Sequence, residues 1–413
     1  MKPFFAACMV FFATVDVTMR AGEPPRTPTF DVALVPTTQY THGDVYYRTP
    51  PGRGPQFSTT RELAPGQRLD LLVLAQGFAV DAEGRAHVTY ELNVHYPNGA
   101  VQRVPEPVVI IEKKKIDPRA LPFPTGIPRF NTNAGDPAGE HRFEVVVRDH
   151  VSGGSVTKSA AVQVSASAHP LPLPDGFDPN RFLSGYYLRP QPRLALPALT
   201  AFSRMPVTQK KADAHGPLLG FYGRVLNDNP WLVPQFAARL ATTTDAAERR
   251  LLALVLSYAQ RDDLKFAENL PREARAALAD ARREITLRPA QEPTHGGQLD
   301  LEWGEFLASG SFASVSHLVT IAAAYLPHRG KLEEYRRLAA KPKSTPPEVI
   351  KDAILGAALW SLGSNARQHK LVHDYLLGIQ QDPAATDTTK AVVAEALAWK
   401  PAATPAAPAQ EKP

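Results

Sequence analysis

His369 and His373 stand four residues apart, so on one helix their imidazoles would share a face at metal-ligand spacing. A His-Glu-x-x-His zinc hydrolase carries glutamate straight after the first histidine, where this chain has Lys370, and no third ligand is evident. One packed and one solvated histidine explain the pair more simply, and no cofactor is expected. Asp300, Glu302 and Glu305 surround Trp303. Paired carboxylates beside an aromatic are what glycosidic cleavage uses, one as acid and the other as base or nucleophile. Acids in a first turn are equally what the helix dipole favours, at about 0.3–1 kcal/mol each. A helical glycosidase barrel also needs more helices than the second half of this chain offers. The three acids are therefore secondary candidates, and the chain leans away from being an enzyme. Asn227, Asp228 and Asn229 offer oxygens to calcium, but a helix–helix turn before Pro230 wants the same residues. Gly-x-Ser-x-Gly elbows, phosphate-cradling glycine loops and dinucleotide fingerprints are all absent.

The elements that must position these residues change character half-way along. Between residues 30 and 166 the apolar period is two. Val88, Tyr90, Leu92, Val94 and Tyr96 alternate with polar residues and stop at Pro97-Asn98-Gly99, a hairpin signal in which both central residues favour positive φ. His141, Phe143, Val145 and Val147 alternate likewise, turn through Gly153-Gly154, and return as Val156, Ala160, Val162 and Val164. Leu69, Leu71 and Val73 form another strand after Pro65-Gly66, with shorter ones over 30–35 and 45–48. About seven short strands predict an antiparallel β-sandwich. Tyr40, Tyr46 and Tyr47 near its start read first as strand residues that bury their rings, and second as a carbohydrate platform.

The stretch from Pro137 to Asp149, with Gly139 and then an aromatic ahead of an alternating run closing on aspartate, resembles the penultimate strand of bacterial immunoglobulin-like domains. The resemblance covers roughly 100 residues and implies a fold class, not an activity. His141 stands where tyrosine is commoner in that family, and its paired cysteines are absent.

A proline-rich stretch, 169–197, reads as a linker, and beyond it the period becomes 3.6. Asp245 and Glu248 form a capping pair ahead of Leu251, Leu254, Val255 and Tyr258. Thr345-Pro346-Pro347-Glu348 starts a helix that reaches Trp360. Three hairpins look alike, turning at 227–230, 309–311 and 363–365, and the first and third are each followed by another helix. This predicts an all-helical domain, either a degenerate repeat of the HEAT or tetratricopeptide kind or a non-repeating bundle. The segments 301–310 and 359–369 are similar to those of uncharacterised exported bacterial helical proteins, a likeness that implies no function.

The apolar run from Pro3 to Val15 behind Lys2 predicts a signal peptide over 1–21, too short to span a bilayer, which takes roughly 20 residues. Removing it removes Cys8, the single cysteine, and with it disulfides and thiolate metal sites. The expected order is therefore signal peptide 1–21, immunoglobulin-like β-sandwich 28–168, linker 169–197, helical domain 198–400 and a Pro/Ala-rich tail 401–413. A net charge of +5 is spread thinly apart from Lys113-Lys114-Lys115, which reads as a solvated strand end; nucleic acid is not expected as a partner. The resulting expectation is a periplasmic or secreted, non-catalytic binding or scaffold protein for an envelope protein or peptide. The alternative is a glycan- or polysaccharide-active enzyme of the cell wall, and no transmembrane span is expected in the mature chain.

Overall fold

A computed structural model describes residues 29–50, 52–117, 120–124, 126–133, 135–206, 215–259, 265–285, 292–338 and 344–400. The expected signal peptide and tail lie outside the described residues. A β region comes first and a helical half follows, with nine strands and thirteen α-helices among the described residues.

Two open sheets make the β region, and neither closes into a barrel. The smaller runs β1 (Asp31–Thr37), β3 (Arg68–Gln76), β7 (Arg129–Asn131). The larger runs β2 (Glu62–Leu63), β9 (Ser155–Val164), β8 (Gly139–Asp149), β4 (Arg85–His95), β5 (Val101–Arg103), with β6 (Val108–Lys115) also on β4. Period-two alternation sets the register: Tyr90, Leu92 and Val94 lie opposite Val147, Val145 and Phe143. These side chains share one core with Leu69, Leu71 and Val73 of the other sheet. Asp149, where β8 ends, accepts backbone N–H groups of Ala79 and Val151 and the Ser152 hydroxyl, which pins the turn. His141 is buried, with Nδ1 3.3 Å from the Gly139 carbonyl. The three lysines are exposed at the end of β6, as their spacing suggested.

Several expectations need correction. The larger sheet is mixed, not wholly antiparallel: a long excursion after β1 delivers β2 alongside β9 in the same direction. At Asn98-Gly99 only Gly99 has positive φ (83°); a longer loop closed by the bond from Tyr96 N–H to the Ala100 carbonyl removes the need at Asn98. Residues 45–48 are helical, within α1 (His42–Arg48), because Val45 is drawn into the helical core. The expected linker turns helical at α2 (Pro179–Gly185), followed by α3 (Ala195–Ser203), with Phe182, Tyr186 and Tyr187 buried among helices. Asp178 accepts the Asn180 and Arg181 N–H groups and Pro179 opens the helix, a start signal masked by the surrounding prolines.

The turn at 227–230 joins α4 (Gly216–Asp228) to α5 (Val233–Thr242) as expected, but α4 packs on α8 (Gly296–Ser309) and α6 (Ala246–Ala259) rather than on α5. The second hairpin, α8 with α9 (Phe312–Tyr325), forms as a packed pair. The helices α6, α7 (Arg272–Glu284) and α10 (Lys331–Arg336) lie between and after them. The third hairpin turns elsewhere: α11 (Pro347–Gln368) runs through 363–365 unbroken, and the chain reverses at His369 into α12 (Lys370–Gln381) and α13 (Asp387–Ala398). Gly363 is a contact point, since a Cβ there would sit 2.4 Å from Trp399 Cβ. Pro346, not Thr345, stands at the cap of α11, and Glu248 leaves the capping role to Asp245. Among the described residues no helix is long and apolar enough to cross a membrane.

Candidate functional site

The β and helical regions meet through a polar seam. The Gln39 and Thr41 side chains donate to the Ser309 carbonyl at 3.3 and 2.7 Å. Gln67 Nε2 donates to Asn229 Oδ1 at 3.1 Å, while Asn229 Nδ2 caps the end of α4 by bonding Val225 O at 2.9 Å. A recess opens along this seam, lined among others by Tyr40, Gln67, Tyr186, Arg224, Asp228 and Asn229. The centre of a water-sized sphere can range over about 20 Å³ inside it, room for about one water.

Arg224 organises the recess. Its Nε donates to Asp228 Oδ2 at 2.8 Å, one turn along α4, and its Nη1 to Glu305 Oε1 of α8 at 3.4 Å. The bridge exists because glycines let the two backbones touch. A Cβ on Gly220 would lie 2.1 Å from the Leu301 carbonyl oxygen, and one on Gly304 2.2 Å from that of Pro217. Burial raises Asp228 above the ordinary carboxylate range, with Arg224 and Arg68 pulling it back. Burial likewise raises Glu305; Arg224 opposes the shift and the Glu302 charge adds to it. Arg224 is itself raised, its two carboxylates outweighing burial. The two trends agree once the guanidinium is taken as the fixed charge, since it stays protonated at any relevant pH. The Asp228 and Glu305 side chains keep 27 % and 40 % of their exposure, so water moderates both shifts.

Tyrosines form the other wall. The Tyr40 hydroxyl donates to Arg68 O at 3.2 Å, and the Arg68 guanidinium lies 4.0 Å from the Tyr40 ring centre. The buried Tyr186 hydroxyl has no hydrogen-bond partner among the described residues and feels the charge of Asp228. Behind Arg68, burial would raise Asp70, but His42 at 3.0 Å together with Arg68 and Arg129 holds it below its ordinary value.

The acids singled out in the sequence part company. Glu302 is buried and accepts from His317 Nδ1 at 2.9 Å, a bond that raises the histidine. Glu305 reaches Arg224 at the recess. Protein packed around Asp300 pushes its carboxyl up to about 6, yet the residue is exposed and water offsets much of that desolvation. Glu302 and Glu305 thus meet different partners, His317 of α9 and Arg224 of α4.

The histidines do not converge either. His369 lies ahead of α12, not within it, so the shared-face argument fails. It is buried with Nδ1 3.3 Å from the Tyr187 hydroxyl, and burial lowers it to about 4. His373 is half-buried beside Arg53, with Nδ1 3.3 Å from its guanidinium. Among the described residues no group of three His, Cys, Asp or Glu side chains could hold a metal. Asn227 to Asn229 supply turn chemistry and the Arg224 bridge, not a calcium cage.

Arg224, Arg68 and Tyr186 escaped the sequence reading. The i,i+4 spacing of Arg224 and Asp228 was a usable signal; Tyr186 fell in the supposed linker and offered none.

No family model matches the chain, and no curated protein matches it. Among solved structures it is similar to a family 123 glycoside hydrolase from Clostridium perfringens, studied for glycolipid glycan hydrolysis, at 11 % identity and a TM-score of 0.19. The match covers 39 % of this chain and 32 % of that one, so it spans about a third of the hydrolase. A likeness this slight carries no argument about fold or activity.

Proposed function

We propose that this chain is an exported, non-catalytic binding or scaffold protein of the bacterial envelope, which offers a helical groove to a protein or peptide and a β-sandwich as a second docking surface. The observation that carries the reading is the fate of the candidate acids: Glu302 is taken up by His317, and Glu305 by Arg224. Their charges serve the joining of helices. Polar contacts across the seam also tie the two regions into one continuous surface, including Arg53 to Asp374 at 3.2 Å. Within this reading the sheets form an immunoglobulin-like sandwich, supported by their shared core and by β2 running parallel to the last strand. The helical half is a hairpin array, supported by the packed pairs α8 with α9 and α11 with α12. Crosslinking of the full chain in envelope preparations followed by pull-down tests the proposal. A specific partner supports it, and recovery of abundant background proteins alone overturns it.

A second reading, hydrolysis of a cell-wall glycan, has one observation in its favour. Asp228 and Glu305, both raised, flank one guanidinium at a recess walled by Tyr40 and Tyr186. Release of reducing ends from a panel of polysaccharides, abolished by both Asp228→Asn and Glu305→Gln, would establish it. Activity that survives both substitutions would remove it.

A further inference from the structure

Tyr40, Tyr46 and Tyr47 sit close together in sequence but meet three environments. Tyr40 walls the recess, Tyr46 is half-buried with its hydroxyl donating to Leu121 O, and Tyr47 keeps 70 % of its surface in solvent. That exposure is not looseness. The Tyr47 ring stands edge-on to Tyr46 with centroids 5.0 Å apart, and lies 5.5 Å from Phe123. Phe123 is backed in turn by His42, whose Nε2 is fixed to Asp70 at 3.0 Å. The helix beneath is held as firmly. Val45 is buried in the helical core, the Arg48 guanidinium lies 4.5 Å from the Phe312 ring centre, and the Arg48 carbonyl abuts Gly378. A ring pre-set in this way loses little freedom when something stacks on it.

We propose that Tyr47, with Asp44 beside it, is a stacking site for one ring of a neutral glycan chain. Three features favour a sugar. The exposed ring offers on the order of 150 Å², from a tyrosine's roughly 150–250 Å², whereas a protein partner takes about 800 Å² per side. Among the described residues the other large exposed apolar residues, Val101, Val151, Leu338 and Trp360, all lie outside α1, so Tyr47 is the one such ring that the helix presents. Asp44 is exposed at i−3 on the same helix, where its carboxylate can accept hydroxyl groups from the edge of a ring whose C–H face covers Tyr47. The site goes beyond both functional readings above: it requires neither a protein partner nor hydrolysis at Asp228 and Glu305.

Native affinity electrophoresis of the full chain through gels containing hydroxyethyl cellulose, glucomannan, dextran or alginate tests it. The expected result is retardation by at least one neutral polymer, weakened at least tenfold in Tyr47→Ala, retained in Tyr47→Phe and reduced in Asp44→Asn. A thermal melt of Tyr47→Ala matching the parent chain confirms that folding is not the cause. The proposal is overturned if no neutral polymer retards the chain, if Tyr47→Ala runs as the parent does, or if only alginate retards it through the net positive charge. Loss of a protein crosslink in Tyr47→Ala without any sugar binding would also overturn it, by making Tyr47 part of a protein interface.

Discussion

Replacing Gly220 by alanine sets a methyl carbon 2.1 Å from the Leu301 carbonyl oxygen, 2.9 Å from its carbon and 3.1 Å from the Glu305 nitrogen. Every atom met is backbone, so no rotamer change relieves the overlap, and α4 must withdraw from α8 by about 1 Å or more to restore contact distances near 3.5 Å. Such a gap forfeits a quarter to a half of the dispersion energy along a tightly packed seam. Overpacking ordinarily costs about 1–3 kcal/mol, and rigid backbone on both sides places this case at about 3 kcal/mol or above. Alanine returns about 1 kcal/mol through helix propensity, leaving a net loss of about 2 kcal/mol or more. Gly356 of α11 is the matched control: it is exposed, nothing lies within 4 Å of its hypothetical Cβ, and Gly356→Ala should stabilise by about 0.5–1 kcal/mol. Urea titration of both variants followed by far-ultraviolet circular dichroism reads the difference as opposite shifts of the midpoint at a common slope. Equal midpoints would refute the packing argument, and with it the account of why Arg224 meets Glu305.

Because burial lowers His369 from 6.5 to about 4, the neutral ring is the form that the fold favours. Its contribution is complete above about pH 6.5 and is lost as pH falls toward 4, by roughly 3 kcal/mol at most; His369→Gln should flatten melting temperature against pH in that window. His317 behaves in the opposite sense, because the Glu302 bond raises it. Its stabilisation is complete below about pH 6.5 and fades as pH rises through the elevated value, so His317→Gln should destabilise more at pH 6 than at pH 9; equal losses at both would sink the assignment. Asp178→Ala removes the acceptor for two N–H groups at the start of α2. It should cost about 1 kcal/mol by chemical denaturation, and no change would mean that packing of Phe182 alone holds the helix.

The strands were legible because alternation is local: Val88 to Val94 and Phe143 to Val147 declare their buried faces whatever they pair with. Much of the helical half was legible for the same reason at a period of 3.6. Some errors were local, at Asn98 and at the start of α2, and two fell where a distant partner outweighed local preference. Val45 to Arg48 has strand-forming residues, yet α1 forms because Val45 docks among helices. Gly363-Ser364 reads as a break, yet the helix continues because Trp399 needs a site without a side chain.

The candidate site divides the same way. Residue order alone determined the β-then-helix sequence, the buried faces of strands such as β4 and β8, and the i,i+4 spacing of Arg224 and Asp228. The meeting of Arg224 with Glu305, the burial of Tyr186 against Asp228 and the exposure of Tyr47 were decided only by the tertiary structure. Each depends on how closely two elements distant in the chain approach one another, and that distance is set by side chains and missing side chains on both. Periodicity shows which face of an element turns inward; what it meets there, and how near, depends on its partner.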